Sequence, residues 1–132
     1  ETARTGNLIQ TYDKGTFDTI SLKTENDFHT VSIKDILFLE ADGSYCIFHL
    51  RSKKPILVSK PLKEYKEILP ETQFSRIHKS YLVNLAHVST YRYSSLEAVL
   101  SSGQTVSVSR RNKTPFLELA SLHSHIAIEK NQ

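Results

Sequence analysis

ILFLEADGSYCIFHL, residues 36–50, is two apolar runs on either side of one turn signal. Ile36–Ala41 is nearly continuous in apolar side chains and too short for a helix, so it reads as a central strand. Asp42-Gly43-Ser44 follows, and Asp-Gly between two apolar runs is a strong hairpin signal. Tyr45–Leu50 is the return strand. A chain that turns back on itself this tightly builds antiparallel sheet, and the neighbouring segments extend the pattern. Upstream, Thr19–Thr24 alternates as a half-buried strand should. Glu25-Asn26-Asp27 reads as a hairpin loop, with Asn-Asp suited to positive φ. Phe28–Ile33 alternates again, with Phe28, Thr30 or Val31, and Ile33 expected inward, until Lys34-Asp35 breaks it. Downstream, Arg51–Pro55 is a basic turn and Ile56-Leu57-Val58 pairs back.

The period then changes. Between Pro61 and Pro70, Leu62, Tyr65, Ile68 and Leu69 recur at spacings of three and four, which predicts a helix of about two turns. Pro61 suits its first position and Pro70 stops it. Phe74–Leu85, FSRIHKSYLVNL, sets Arg76, His78, Lys79 and Ser80 between apolar anchors at Phe74 and Ile77 on one side and Tyr81-Leu82-Val83 on the other. Strands are expected at His87–Tyr93, where Val88, Thr90 and Arg92 alternate against Ser89, Tyr91 and Tyr93, then at Leu96–Leu100 and Thr105–Val108. Ser102-Gly103 is the turn between the last two. A second helix is expected from near Lys113 to Ser121, capped by Asn112 or Thr114, with Pro115 in its first turn and Phe116, Leu119, Ala120 and His123 inward. Eight or nine short strands in hairpins with two short helices make a mainly β protein of small antiparallel sheets. Residues 1–17 read as a linker or tag remnant with a short strand near Leu8-Ile9, residues 18–124 as the folded domain, and residues 125–132 as a tail expected to fray.

At 132 residues the chain suits one domain, and 39% hydrophobic with 23% charged residues places it among ordinary globular proteins. No apolar run approaches the roughly 20 residues of a membrane helix, and no signal segment opens the chain. Starting at Glu1 without any methionine, it is expected to be a piece of a longer protein. The single cysteine, Cys46, fits a reducing compartment as a small buried hydrophobe inside an apolar strand. Lys and Arg total 17 against 14 Asp and Glu, so only clustering can argue for a polyanion partner. Three clusters stand out: Arg51, Lys53, Lys54, Lys60 and Lys63; Arg76 with Lys79; and Arg110, Arg111 and Lys113. They become informative if the fold brings them to one face. The six histidines lie at 29, 49, 78, 87, 123 and 125 without a metal-binding pattern. With no nucleophile elbow, P-loop or paired carboxylates either, neither an enzyme nor any cofactor or metal is expected.

Ile36–Leu50, Leu62–Leu69, Phe74–Leu85 and Ser102–Asn112 (SGQTVSVSRRN) fall in the order and at the separations of a LytTR-type DNA-binding domain, a resemblance spanning roughly Ile20–Leu122. It implies a stack of small antiparallel sheets with a short helix on the flank. It further implies the C-terminal output half of a bacterial response regulator, cytoplasmic, behind a phosphorylatable receiver domain. Such domains bind promoter repeats in double-stranded DNA as dimers, through loops that reach two successive major grooves and the minor groove between. Three places match the DNA-facing loops: Ser44, amid Asp42, Gly43 and Tyr45; Lys79, flanked by His78 and Ser80; and Arg111, with Ser109, Arg110 and Asn112. Some members place a histidine or arginine in the first loop, where Ser44 is shorter and neutral, so Ser44 is expected to reach a phosphate more readily than a base.

The residue chemistry agrees. The arginine fork matches guanine O6 and N7, which makes Arg111 the candidate base reader and Arg110 a phosphate or packing residue. Lys79 suits a phosphate or a single acceptor, and Ser80, Ser109 and Asn112 suit phosphate oxygens. Alternation along 74–81 allows Arg76 or His78 to turn inward, and Asn84 reads as a structural hydrogen-bonder. The competing reading is a β-rich module that docks a protein, or an RNA through exposed Tyr91 and Tyr93, which share a face.

Overall fold

The computed structural model describes residues 19–129, and the expected linker at 1–17 with its strand near Leu8-Ile9 lies outside them. β1 (Thr19–Lys23) and β2 (Phe28–Ser32) form a two-stranded antiparallel sheet. Their loop closes through Thr24, whose hydroxyl accepts the Asp27 N–H at 2.9 Å. It does not use the positive φ expected of Asn26-Asp27; among described non-glycine residues only Ser52 and Leu96 adopt that conformation. The register pairs Leu22 with His29 and Ile20 with Val31, so Leu22, Ile20 and Val31 point to the core. Phe28, opposite Lys23, falls on the outer face instead and is 73% exposed, against the inward position expected for it.

A five-stranded antiparallel sheet forms the middle layer, in the order β5 (Ile56–Val58), β4 (Tyr45–Leu50), β3 (Ile36–Asp42), β7 (Tyr81–Asn84), β6 (Phe74–His78). β3 is central, and Ile36, Leu37, Phe38 and Leu39 are all buried. Four buried residues in succession require cover on both faces, because successive side chains point opposite ways. One face meets Ile20, Leu22 and Val31 of the first sheet together with Leu62, Tyr65 and Leu69 in and after helix α1 (Leu62–Ile68). The other meets a four-stranded sheet and helix α2 (Arg110–Ala120), through Val88, Tyr91, Leu100, Val106, Phe116 and their neighbours. Seven-residue α1 is too short to stand alone and persists through its buried stripe. Pro61 is its N-cap, in extended conformation, one place before the first-turn position expected.

The four-stranded sheet runs β10 (Thr105–Ser107), β9 (Glu97–Leu100), β8 (Val88–Arg92), β11 (Ala127–Glu129). Here several expectations change. A bulge between Val88 and Thr90 interrupts the strict alternation, so Val88 and Tyr91 both turn into the core. The segment expected to fray is ordered as far as β11, which adds to β8 in parallel, the exception in otherwise antiparallel sheets; Ile126, at its start, is buried. The described strands therefore number eleven rather than eight or nine. α2 also begins earlier than expected: Ser109, not Asn112 or Thr114, is the N-cap, its Oγ accepting the Asn112 N–H at 3.2 Å. Pro115 then sits in the second turn, where it has no N–H to offer the Arg111 carbonyl.

Buried Asn84 ties strands of the middle sheet together. Its Nδ2 donates to the Ile36 carbonyl at 2.8 Å, while its Oδ1 accepts from the Ala86 N–H at 3.0 Å and from Gln73 Nε2 at 3.3 Å. Removing the amide leaves the buried Ile36 carbonyl without its partner, so Asn84→Ala is expected to lower stability by about 1–3 kcal/mol in urea unfolding without changing the slope. Cys46 is fully buried, and burial pushes its thiol up from 9.0 to about 12. Between those values the unfolded chain releases a proton that the folded domain keeps, so the folded state binds more protons and stability falls as pH rises above about 9. Thermal melts of the chain and of Cys46→Ala between pH 8 and 11 check this, the variant losing part of that slope.

Candidate nucleic-acid interface

The hairpin turns of the middle sheet decide where the polar residues meet. β3 and β4 join through Gly43-Ser44, flanked by the Asp42–Tyr45 pair. Gly43 has φ +64° while Ser44 stays out of that region, so glycine takes the one position where a side chain would be strained. β6 and β7 join through Lys79-Ser80. Because β3 is antiparallel to both β4 and β7, the two turns lie at the same end of the sheet, and the Ala41 N–H donates to the Ser80 carbonyl at 2.8 Å between them. The Ser109 N–H in turn donates to the Ile77 carbonyl at 2.8 Å, holding the first turn of α2 against the end of β6. Ser44, Lys79, Ser80 and Ser109–Asn112, remote in sequence, thus form one continuous rim.

Within that rim the side chains divide into those that shape the loops and those left outward. Arg76 is half-buried; its Nε donates to the His78 carbonyl at 2.9 Å and its Nη2 to the Lys79 carbonyl at 2.6 Å. Burial lowers its pKa below the ordinary guanidinium value, though a guanidinium remains charged at any working pH. His78 is half-buried too, against the ring of Tyr81, and its Nδ1 accepts the Ser80 N–H at 3.0 Å. Neither residue is lost to the core; both clamp the turn that carries exposed Lys79. At the corner, Ser109 Oγ accepts from both the backbone N–H and the side-chain Nδ2 of Asn112, the latter at 2.8 Å, so the Asn112 amide is turned back on the cap. Arg110 and Arg111 are exposed. Their amides, in the first helical turn, have no intrahelical acceptor. The same turn contains no acidic residue. Two arginines at the positive end of a helix dipole are stabilised by an anion placed beside them.

Other basic residues are sorted by topology. Lys53 and Lys54 lie in the β4–β5 connection, at the opposite end of the sheet from the turns, so the expected first cluster does not join the rim as a whole. Val58 pairs with Cys46, which sends Ser59 and Lys60 back toward the turn end. Lys113 lies 4.9 Å over the Tyr93 ring and steadies the β8–β9 turn against α2, a contact across twenty residues that no local pattern announces. Tyr91 is fully buried and stacks obliquely on Phe116, which removes the paired exposed aromatics that an RNA-stacking surface needs. Among the described residues no three His, Cys, Asp or Glu side chains group as metal ligands, and no helix is long and apolar enough to cross a membrane. His49 bonds Glu40 at 2.8 Å, and His87, His123 and His125 bond backbone carbonyls.

Stacked small sheets with basic and hydroxyl side chains gathered on turns at one end define a β-built module with a cationic rim. The comparison with known families is specific: the LytTr DNA-binding domain matches residues 26–121, and the chain belongs to that family. Its fold is similar to that of the LytTr DNA-binding domain of a methyl-accepting/DNA response regulator from Bacillus cereus, with a TM-score of 0.68 and 23% identity over 79% of this chain and 97% of that one. In sequence it is 38% identical over 65 residues to the CO-responsive transcriptional regulator RcoM of Rhodospirillum rubrum. That match takes in 47% of this chain and 26% of the relative, so the matched stretch spans about a quarter of the longer protein.

The Ser80 N–H can donate only to an unprotonated Nδ1, which puts the ring proton of the neutral His78 tautomer on Nε2. Imidazole ¹⁵N NMR is expected to show the Nε2–H tautomer at His78; an Nδ1–H form would remove this bond from the account.

Proposed function

We propose that the domain binds duplex promoter DNA sequence-specifically, as the output half of a bacterial transcription regulator, and that it acts in the cytoplasm by binding rather than by catalysis. One observation carries this reading: the Lys79-Ser80 turn, the Gly43-Ser44 turn and the cationic first turn of α2 converge at one end of the sheet, joined by the Ala41–Ser80 and Ser109–Ile77 backbone bonds. In this reading the Ser109–Asn112 corner enters one major groove, the Gly43-Ser44 turn approaches the next, and Lys79 with Ser80 faces the backbone between them. Arg111 reads a guanine; Arg110, Ser80 and Ser109 contact phosphates; Arg76 and His78 hold the central turn in register, and Asn112 holds the cap. Ser44 is too short to reach far and meets a phosphate. Two copies occupy a direct repeat.

A receiver domain upstream would make the whole protein a two-component response regulator. The relative in Rhodospirillum rubrum is named as responding to CO, which favours a second reading of the upstream half, a small-molecule sensor in the receiver's place. The rim described here serves either arrangement.

Selection of bound sequences from random duplex DNA, with the chain and with Arg111→Ala, tests the assignment. The variant is expected to lose about 1–3 kcal/mol and to relax preference at one base pair. Equal weakening on all sequences would make Arg111 a phosphate contact. Affinity is expected to fall steeply with added salt as neutralised phosphates regain counterions.

A further inference from the structure

The first turn differs in charge from the rest of the rim. Ser44 is neutral, and the residue that opens the turn, Asp42, is an exposed acid. Its direction follows from the strand: Leu39 packs in the first core and Ala41 against it, so Asp42 falls on the opposite face. Its cross-strand partner Tyr45 shares that face, because Cys46 next to it is in the first core. That face is the one against which the second sheet and α2 pack. Asp42 therefore leans toward the side of the sheet on which the arginines of α2 stand. Among the described residues its carboxylate forms no ion pair.

We infer that Asp42 is a specificity-determining residue of the first turn, selecting a cytosine in the major groove. The inference rests on the DNA-facing role proposed above for this turn. An ionised carboxylate accepts hydrogen bonds and donates none, and phosphates repel it. A turn that carries it is disfavoured on the DNA backbone and favoured where the groove floor offers a donor. Two bases offer an amino group there. Cytosine presents N4–H₂ with no acceptor beside it, whereas adenine presents N6–H₂ next to N7, whose lone pair opposes the second carboxylate oxygen. Cytosine is the better match. The pairing of Asp42 with Tyr45 across a two-residue turn fixes the backbone from which the acid projects. The turn thus reads through Asp42, while Ser44 serves as its phosphate-side anchor.

The test is sequence selection from random duplex DNA with the chain, Asp42→Asn and Asp42→Ala, each first checked by thermal melting, since an exposed turn position should leave the fold intact. The unaltered chain is expected to favour cytosine at one position, separate from the guanine lost in Arg111→Ala, by about 5- to 150-fold. Asp42→Asn is expected to move that preference to adenine, whose N6 and N7 match a carboxamide in both directions. Asp42→Ala is expected to abolish it while the Arg111-dependent guanine stays and affinity for unrelated duplex does not fall. An enriched motif identical for all three proteins overturns the role of Asp42 and leaves DNA recognition standing. Failure of the unaltered chain to enrich any motif overturns both.

Discussion

The constraint on which the structure depends is the double-sided burial of β3. Ile36, Leu37, Phe38 and Leu39 must all leave water, and a strand can do that only as the middle of a middle layer. One face recruits the β1–β2 hairpin and α1, the other the four-stranded sheet and α2. Each covering element is too small to persist alone: a two-stranded hairpin, a two-turn helix, strands of three to five residues. The central sheet is therefore the template for the rest, and Asn84 locks its start by joining Ile36, Gln73 and Ala86 in one buried hydrogen-bond set.

The rim follows from that arrangement. Antiparallel neighbours necessarily bring alternate turns to the same end, so the 43–44 and 79–80 turns are adjacent, and the Ala41–Ser80 backbone bond joins them. The α2 corner joins them because helix and sheet share the second core, and one backbone bond from Ser109 to Ile77 sets the distance. Charge is distributed unevenly across the result. The corner concentrates Arg110 and Arg111 at a helix N-terminus, the centre has one lysine braced by Arg76 and His78, and the first turn has an acid and a serine. Positive charge is thus concentrated at one side of the rim, and the opposite side is neutral to acidic.

The hairpin at 36–50, the helix stripe at Leu62, Tyr65 and Leu69, and the Gly103 turn were legible because each is written in neighbours a few residues apart. Asn84 and Cys46 were legible for the same reason, a polar or thiol group set within an apolar run. Phe28 was misread because periodicity shows that a strand has two faces but not which of them the core will meet. The bulge at Ser89 defeated strict alternation and hid the burial of Tyr91. Ser109 and Asn112 are both good caps three residues apart, so local sequence leaves the start of α2 open between them; the hydrogen bond from the Asn112 N–H to Ser109 decides it. β11 looked like a tail because a three-residue strand has almost no signal of its own and exists only beside β8.

By itself the sequence determined the mainly β class, the order of the hairpins, the short helices and the identity of the basic and hydroxyl residues at the turns, all properties of local spacing. Only the tertiary structure decided which basic residues lie together. Lys79 and Arg111 meet at one end of the sheet while Lys53 and Lys54 are carried to the other, because strand direction and cross-strand register, not distance along the chain, determine where a turn ends up. The division of labour at the rim was likewise a tertiary matter: Arg76 and His78 spend hydrogen-bonding groups on the backbone of their own turn, and Arg110, Arg111 and Lys79 are left facing outward.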